Sequence, residues 1–141
     1  MIDISDFHKK ELHGYSYFYL IGHFDSCYCM WVADSENDMV FTVGRIDVLP
    51  SMRRKGLGRK LLQGALEHIK KEHPKACIEI IAQADSDEQV STKDLVKFYK
   101  SVGFELHQDY GSKVHLRLYF DSELKPQPLF DSPFYFRDYA F

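Results

Sequence analysis

A chain of 141 residues with 45% apolar and 15% aromatic residues can build one domain with a sizeable core, and that composition excludes disorder. The net charge is −3, which argues against a general nucleic-acid binder, whose footprint is a basic domain. No signal peptide and no run of about 18 apolar residues is present, so a soluble, cytoplasmic protein without membrane contact is expected.

Residues 1–14 predict a short strand at Ile2–Ile4 and then a helical turn or two over Phe7–Leu12, ended by Gly14. From Tyr15 the period changes to two. Tyr15–Phe24 reads as an aromatic-rich strand, Asp25-Ser26 as a turn and Cys27–Ala33 as a second strand. A polar loop, Asp34–Asp38, leads to a third strand over Val40–Leu49, ended by Pro50. Short connections make these three an antiparallel meander. The three cysteines, Cys27, Cys29 and Cys77, fit no disulfide framework, and core packing suits Cys27 and Cys29 better than a metal site.

A helix follows over residues 56–73, with Leu57, Leu61, Leu62, Ala65, Leu66 and Ile69 at helical spacing and Pro74 just beyond its end. Ala76–Ala82 is nearly all apolar, as in a strand buried on both faces beside a parallel partner. Glu79 is the only charge within it. After an acidic loop, Gln83–Val90, Ser91 and Asp94 form a capping box for a helix over Thr92–Val102, terminated by Gly103. A hairpin closes the domain: Phe104–Tyr110 and Lys113–Phe120 about Gly111-Ser112. Val114, Leu116, Leu118 and Phe120 line one face of its second strand, with Lys113, His115, Arg117 and Tyr119 on the other. The segment from Leu124 to Phe141 holds three prolines and six aromatics (Phe130, Phe134, Tyr135, Phe136, Tyr139, Phe141). So much apolar surface is expected to pack on this single domain, 1–141, or on a partner in a homodimer.

The stretch with the clearest chemistry is Met52-Arg-Arg-Lys-Gly-Leu-Gly-Arg-Lys60, between the third strand and the first long helix. A helix start offers unpaired N–H groups and a partial positive charge, and glycines let a ligand approach the backbone. Cationic side chains surround the same opening, so this is an anion site suited to a polyphosphate. A Walker loop needs a hydroxyl residue after Gly-Lys, whereas Arg59 and Lys60 follow Gly58. A dinucleotide fingerprint needs a third glycine where Leu61 stands.

Arg53-x-x-Gly56-x-Gly58, preceded by Ile46-x-Val48-x-Pro50, resembles the cofactor motif of the GNAT superfamily, the acyl-CoA-dependent N-acetyltransferases. Phe98-Tyr99-Lys-Ser-Val-Gly103-Phe104 is similar to the family's second signature, and the likeness covers about residues 15–120. The resemblance implies an α/β (α+β) fold: a mixed, mostly antiparallel sheet, splayed at the cofactor site and flanked by helices. It implies that pantetheine inserts between the strands at 40–49 and 76–82. Ile46, Asp47 and Val48 would then border the pantetheine arm, and Arg53, Arg54, Lys55, Gly56, Leu57, Gly58 and Arg59 the pyrophosphate. Gly44, inside its strand, suits a bulge that helps open this wedge. Thr92 stands where the family often has an asparagine that holds the pantetheine. No metal is implied.

The activity implied is acetyl transfer from acetyl-CoA to a primary amine of a small molecule or protein. Tyr99 matches the family's usual proton donor to the leaving thiolate. Glu79 is the candidate general base, because a carboxylate isolated in an apolar strand is desolvated as a base requires. Asp47 or a water is the alternative. The acidic Asp85, Asp87 and Glu88 favour a cationic acceptor. The usual pair of N-terminal helices is expected to be shrunk to residues 6–13, with the aromatic tail supplying the missing wall. A non-catalytic CoA-binding or interaction module on the same fold stands as the alternative reading, and an RNA-binding use of the basic patch as a third.

Overall fold

In the computed structural model, residues 3–37, 39–84 and 90–125 are described. The acidic trio Asp85, Asp87 and Glu88 and the aromatic tail beyond Lys125 lie outside them. The elements in chain order are β1 (Phe7–Leu12), β2 (Tyr15–Leu20), β3 (Tyr28–Ala33), β4 (Val40–Asp47), α1 (Leu57–Glu72), β5 (Cys77–Ala82), α2 (Thr92–Val102), β6 (Glu105–Asp109) and β7 (Val114–Tyr119). They form one seven-stranded sheet in the order β1-β2-β3-β4-β5-β7-β6. Among the described residues only β4 and β5 are parallel, joined by α1; every other neighbouring pair is antiparallel.

The N-terminal segment differs from its sequence reading. Residues Ile4–Asp6 form a 3-10 turn and Phe7–Leu12 is a strand, not a helix, paired with β2 from Phe7↔Leu20 to Leu12↔Tyr15. The polar His8-Lys-Lys-Glu11 run hides the alternation, because β1 is a sheet edge where charged residues discourage pairing with other chains. Strand β2 stops at Leu20, earlier than expected, because Gly22 takes a left-handed φ of 86° and the chain folds back with His23 N–H on Leu20 O. The remaining elements stand within two residues of their expected bounds. Ser91 caps α2 by accepting from the Asp94 N–H at 3.1 Å.

Register divides the sheet into two faces. Phe18, Cys29, Trp31, Phe41, Val43, Ile78, Ile80, Ala82, Val114 and Leu116 share one face and are all buried. Both helices cover that face: α1 buries Leu57, Leu61, Leu62, Ala65, Leu66 and Ile69, and α2 buries Tyr99. Gly64 lets α1 lie directly on Phe18, since a Cβ there would come within 2.1 Å of the ring. The other face carries Tyr17, Tyr19, Tyr28, Met30, Thr42, Glu79, His115 and Arg117, all half-buried. No helix among the described residues crosses it.

Candidate active site

The one parallel pairing in the sheet is also incomplete. It runs from Val40↔Cys77 to Val43↔Ile80 and stops, although β4 continues to Asp47 and β5 to Ala82. The cause lies on the other edge of β4. Met30 stands opposite Arg45 and Trp31 opposite Val43, so Gly44 is the unpaired residue of a bulge. A bulge bends its strand, and here the bend carries β4 away from β5. A Cβ at Gly44 would stand 2.9 Å from Met30 Cε, so the end of that flexible side chain would have to shift. Beyond the bulge Ile46 and Val48 pack on the core, while Asp47 turns to the open face and pairs with Arg45 at 3.7 Å.

The helix start faces this gap. Gly56 precedes α1 with a left-handed φ of 75°, which favours glycine, and no side chain caps the helix. The first helical bond is Lys60 N–H to Gly56 O at 3.1 Å, so the N–H groups of Leu57, Gly58 and Arg59 have no intrahelical acceptor. Leu57 fixes the helix by burying its side chain. Space around Gly58 is open: a Cβ there would meet only Val48 Cγ2, at 3.9 Å. Arg53 donates from Nε to Val48 O at 3.0 Å, which ties the loop to the end of β4. Arg54, with φ 65°, and Lys55 are exposed beside it. Arg59 turns elsewhere: its Nη2 donates to Ser101 Oγ at 2.8 Å and its guanidinium lies 5.4 Å from the Phe98 ring, so it joins α1 to α2.

Tyr99 comes from α2 into the covered face, with its ring 5.5 Å from Phe98 and 6.2 Å from Phe104. Its hydroxyl has no hydrogen-bond partner among the described residues, yet no sealed polar side-chain atom among them lacks one. The oxygen is therefore not sealed from solvent. Burial, with a smaller push from Cys29, drives the phenol up to about 12, so Tyr99 stays protonated at neutral pH.

On the open face, Glu79 is not isolated. Arg117 opposite it on β7 donates from Nε at 3.1 Å and from Nη2 at 2.9 Å to the same carboxylate oxygen, Oε2. His115 Nδ1 stands 3.3 Å from the other oxygen, Oε1. The sequence showed His115 and Arg117 on the polar face of β7 but not their partner. The signal was available: a single carboxylate on one strand faces a His-x-Arg alternation on another. Thr92 sits at the far rim, where its hydroxyl accepts from Ala84 N–H at 3.1 Å and donates to Ser112 O at 3.3 Å. Its one donor thus holds the β6–β7 turn rather than facing the gap. Cys27, Cys29 and Cys77 are buried free thiols, and burial raises Cys77, which also bonds Tyr119.

The interrupted strand pair, the uncapped helix start and Tyr99 come from the stretches that carry the two sequence signatures. A family model described as an acetyltransferase (GNAT) domain matches residues 15–106. The chain belongs to the GNAT acetyltransferase family. A relative from Methanocaldococcus jannaschii, an uncharacterised N-acetyltransferase, is 32% identical over 82 residues, which span 58% of this chain but only 33% of the relative. Three solved structures share the GNAT fold. A GNAT-family protein from Desulfovibrio desulfuricans aligns with a TM-score of 0.61 at 17% identity, covering 77% of this chain and 70% of that one. The ribosomal-protein-S18-alanine N-acetyltransferase of Escherichia coli gives 0.59 at 17%, with 79% and 72% covered. An N-acetyltransferase from Thermoplasma acidophilum, solved with coenzyme A, gives 0.56 at 14%, with 74% and 59% covered. No helix among the described residues is long and apolar enough to cross a membrane.

Proposed function

We propose that this GNAT protein transfers an acetyl group from acetyl-CoA to a primary amine. The observation that carries the reading is the gap itself: an interrupted β4–β5 ladder beside an uncapped, glycine-lined helix start. The free N–H groups of residues 57–59 and the exposed Arg54 and Lys55 suit a pyrophosphate. The β5-facing backbone of residues 44–47, which has no ladder partner on that side, suits the amides of pantetheine, with Ile46 and Val48 alongside. When bound, acetyl-CoA supplies an activated carbonyl and a thiolate leaving group.

The chain's own groups then have three tasks. A backbone N–H of the splayed β4 polarises the carbonyl oxygen. Tyr99, kept neutral by burial, donates a proton to the departing sulfur. A group on the open face, where the carboxylates Glu79 and Asp47 lie, takes the amine proton, directly or through water. A cytoplasmic location suits three free thiols. The acceptor arrives on the open face, between the aromatic group Tyr17, Tyr19, Phe24 and Tyr28 on one side and Glu79 with Arg117 on the other. Thiol release from acetyl-CoA, measured with spermidine, tyramine and an alanine-initiated hexapeptide, tests the activity. Turnover with any of them supports an enzyme. CoA binding without thiol release from any amine or from water supports the non-catalytic module instead.

A further inference from the structure

The Arg117 fork changes what Glu79 can do. Both Arg117 donors converge on Oε2, and the carboxylate leans from β5 toward β7 rather than toward the β4–β5 gap. Oε1 is left for His115 Nδ1. An ionised carboxylate can only accept, so Nδ1 must carry the hydrogen, and the other ring nitrogen, Nε2, then holds a free lone pair. Nε2 has no partner among the described residues, and no sealed polar side-chain atom among them is left unsatisfied, so it stays accessible. The side chains of His115 and Glu79 are each 20% exposed.

Position agrees with chemistry. His115 lies opposite Ile81, the first residue of β5 past the last β4–β5 pair, whereas Glu79 lies before it, opposite Thr42. Of the two, His115 stands at the level of the open gap and on the face from which an amine would come. The Tyr110 ring, edge-on at 5.3 Å, walls the imidazole from the side.

We infer that His115, not Glu79, is the general base of the acetyl transfer, and that Glu79 is a positioning residue that fixes the imidazole tautomer and is itself held by Arg117. The inference rests on the acetyltransferase reading above. An alkylammonium acceptor gives one proton to His115 Nε2, directly or through one water, and becomes a neutral amine. The amine nitrogen then bonds to the carbonyl carbon as the carbon–sulfur bond breaks. The nitrogen's second proton is lost to solvent, the thiolate takes a proton from Tyr99, and Tyr99 regains one from solvent. The amide, a free thiol and one net proton are the products, with His115 deprotonating to restore the start. The charged and titratable groups facing His115 are Glu79 on β5, Arg117 on its own strand, His107 on β6 and Tyr110 in the turn.

Imidazole nitrogen-15 NMR of the whole chain reads the tautomer without any substrate. We expect His115 as the Nδ1–H form, and loss of that preference in Glu79→Gln; an Nε2–H form in the wild type overturns the inference. Thiol release at saturating acetyl-CoA, with spermidine, tyramine, the alanine-initiated hexapeptide or water as nucleophile, reads the role. His115→Gln should lower kcat about 10²-fold or more, with the CoA-induced melting shift unchanged and the acidic limb of the pH–rate profile removed. Glu79→Asp should restore part of what Glu79→Gln loses and keep the profile. His115→Asn repeats the test should His115→Gln unfold. A kcat within twofold of wild type in either His115 variant overturns the inference while leaving the acetyltransferase reading intact. A wild type that binds no CoA, or releases no thiol in any arm, removes the reading and the inference together.

Discussion

The two faces of one sheet obey different rules. The covered face carries a continuous apolar set from Phe18 across to Leu116, and both helices lie on it. The open face alternates with it residue by residue, yet carries tyrosines, two charged or titratable strands' worth of contacts at β5 and β7, and no helix among the described residues. Packing decides the first, where a change of one methyl group is felt. The second holds groups such as His115, over which no helix among the described residues packs. The interrupted β4–β5 ladder lies in the sheet between them, with Tyr99 among the buried residues of the covered face and the Glu79–His115 pair on the open face.

The largest effect expected is from Gly58→Glu. It places bulk and negative charge at the helix start, and CoA should no longer raise the melting temperature at millimolar concentration. Retained binding would show that the anion site lies elsewhere. Next is Tyr99→Phe, which removes only a hydroxyl. Turnover should fall by about 10²-fold with CoA affinity nearly unchanged, in contrast to changes on the open face, which should act through the amine. Equal losses of turnover and affinity would mean that Tyr99 serves packing alone.

Gly64→Ala probes the covered face by itself. Its Cβ would stand 2.1 Å from Phe18, a ring already stacked on Phe7 at 5.3 Å and beside His68. Overpacking should cost about 1–3 kcal/mol in urea unfolding, and an unchanged midpoint would mean that the helix shifts freely. A smaller effect follows from His68, whose burial and nearby Lys9 hold it below its ordinary 6.5. The folded state then binds its proton less readily than the unfolded chain. This stability is present above about pH 6.5 and lost as pH falls below it. His68→Gln should flatten that slope, though not abolish it, since His107 is lowered too. Smallest is a chain ended after Lys125: if the aromatic tail packs on the domain or a second copy, its loss should lower solubility or the mass in solution, and unchanged values of both would refute that packing.

Much of the covered face was legible because its signals are local. The periodicity of Leu57 through Ile69, the Ser91 cap and the Gly103 stop each fix an element by themselves. Gly44 was legible as a bulge because a glycine inside a strand has few other uses. The edge strand was not, since Lys9 and Lys10 there follow the needs of solvent rather than the sheet period. Nor was the partnering of Glu79. That depends on the β5–β7 register, which places Arg117 directly opposite and His115 diagonally, and a non-local register is written in no single stretch of sequence. Arg59 was read as a pyrophosphate ligand by proximity to the glycines, while its long side chain finds Phe98 and Ser101, forty residues on in a helix that packs beside it.

On the reading proposed above, the interrupted β4–β5 ladder and the α1 start form one acyl-CoA site. Thermal unfolding of the whole chain with increasing acetyl-CoA, with adenosine as the phosphate-free control, tests it most directly. A concentration-dependent rise is expected, reaching about 2.7 kcal/mol of added stability at a hundred times the dissociation constant, with little or none from adenosine. No rise at millimolar acetyl-CoA, or an equal rise with adenosine, would contradict it.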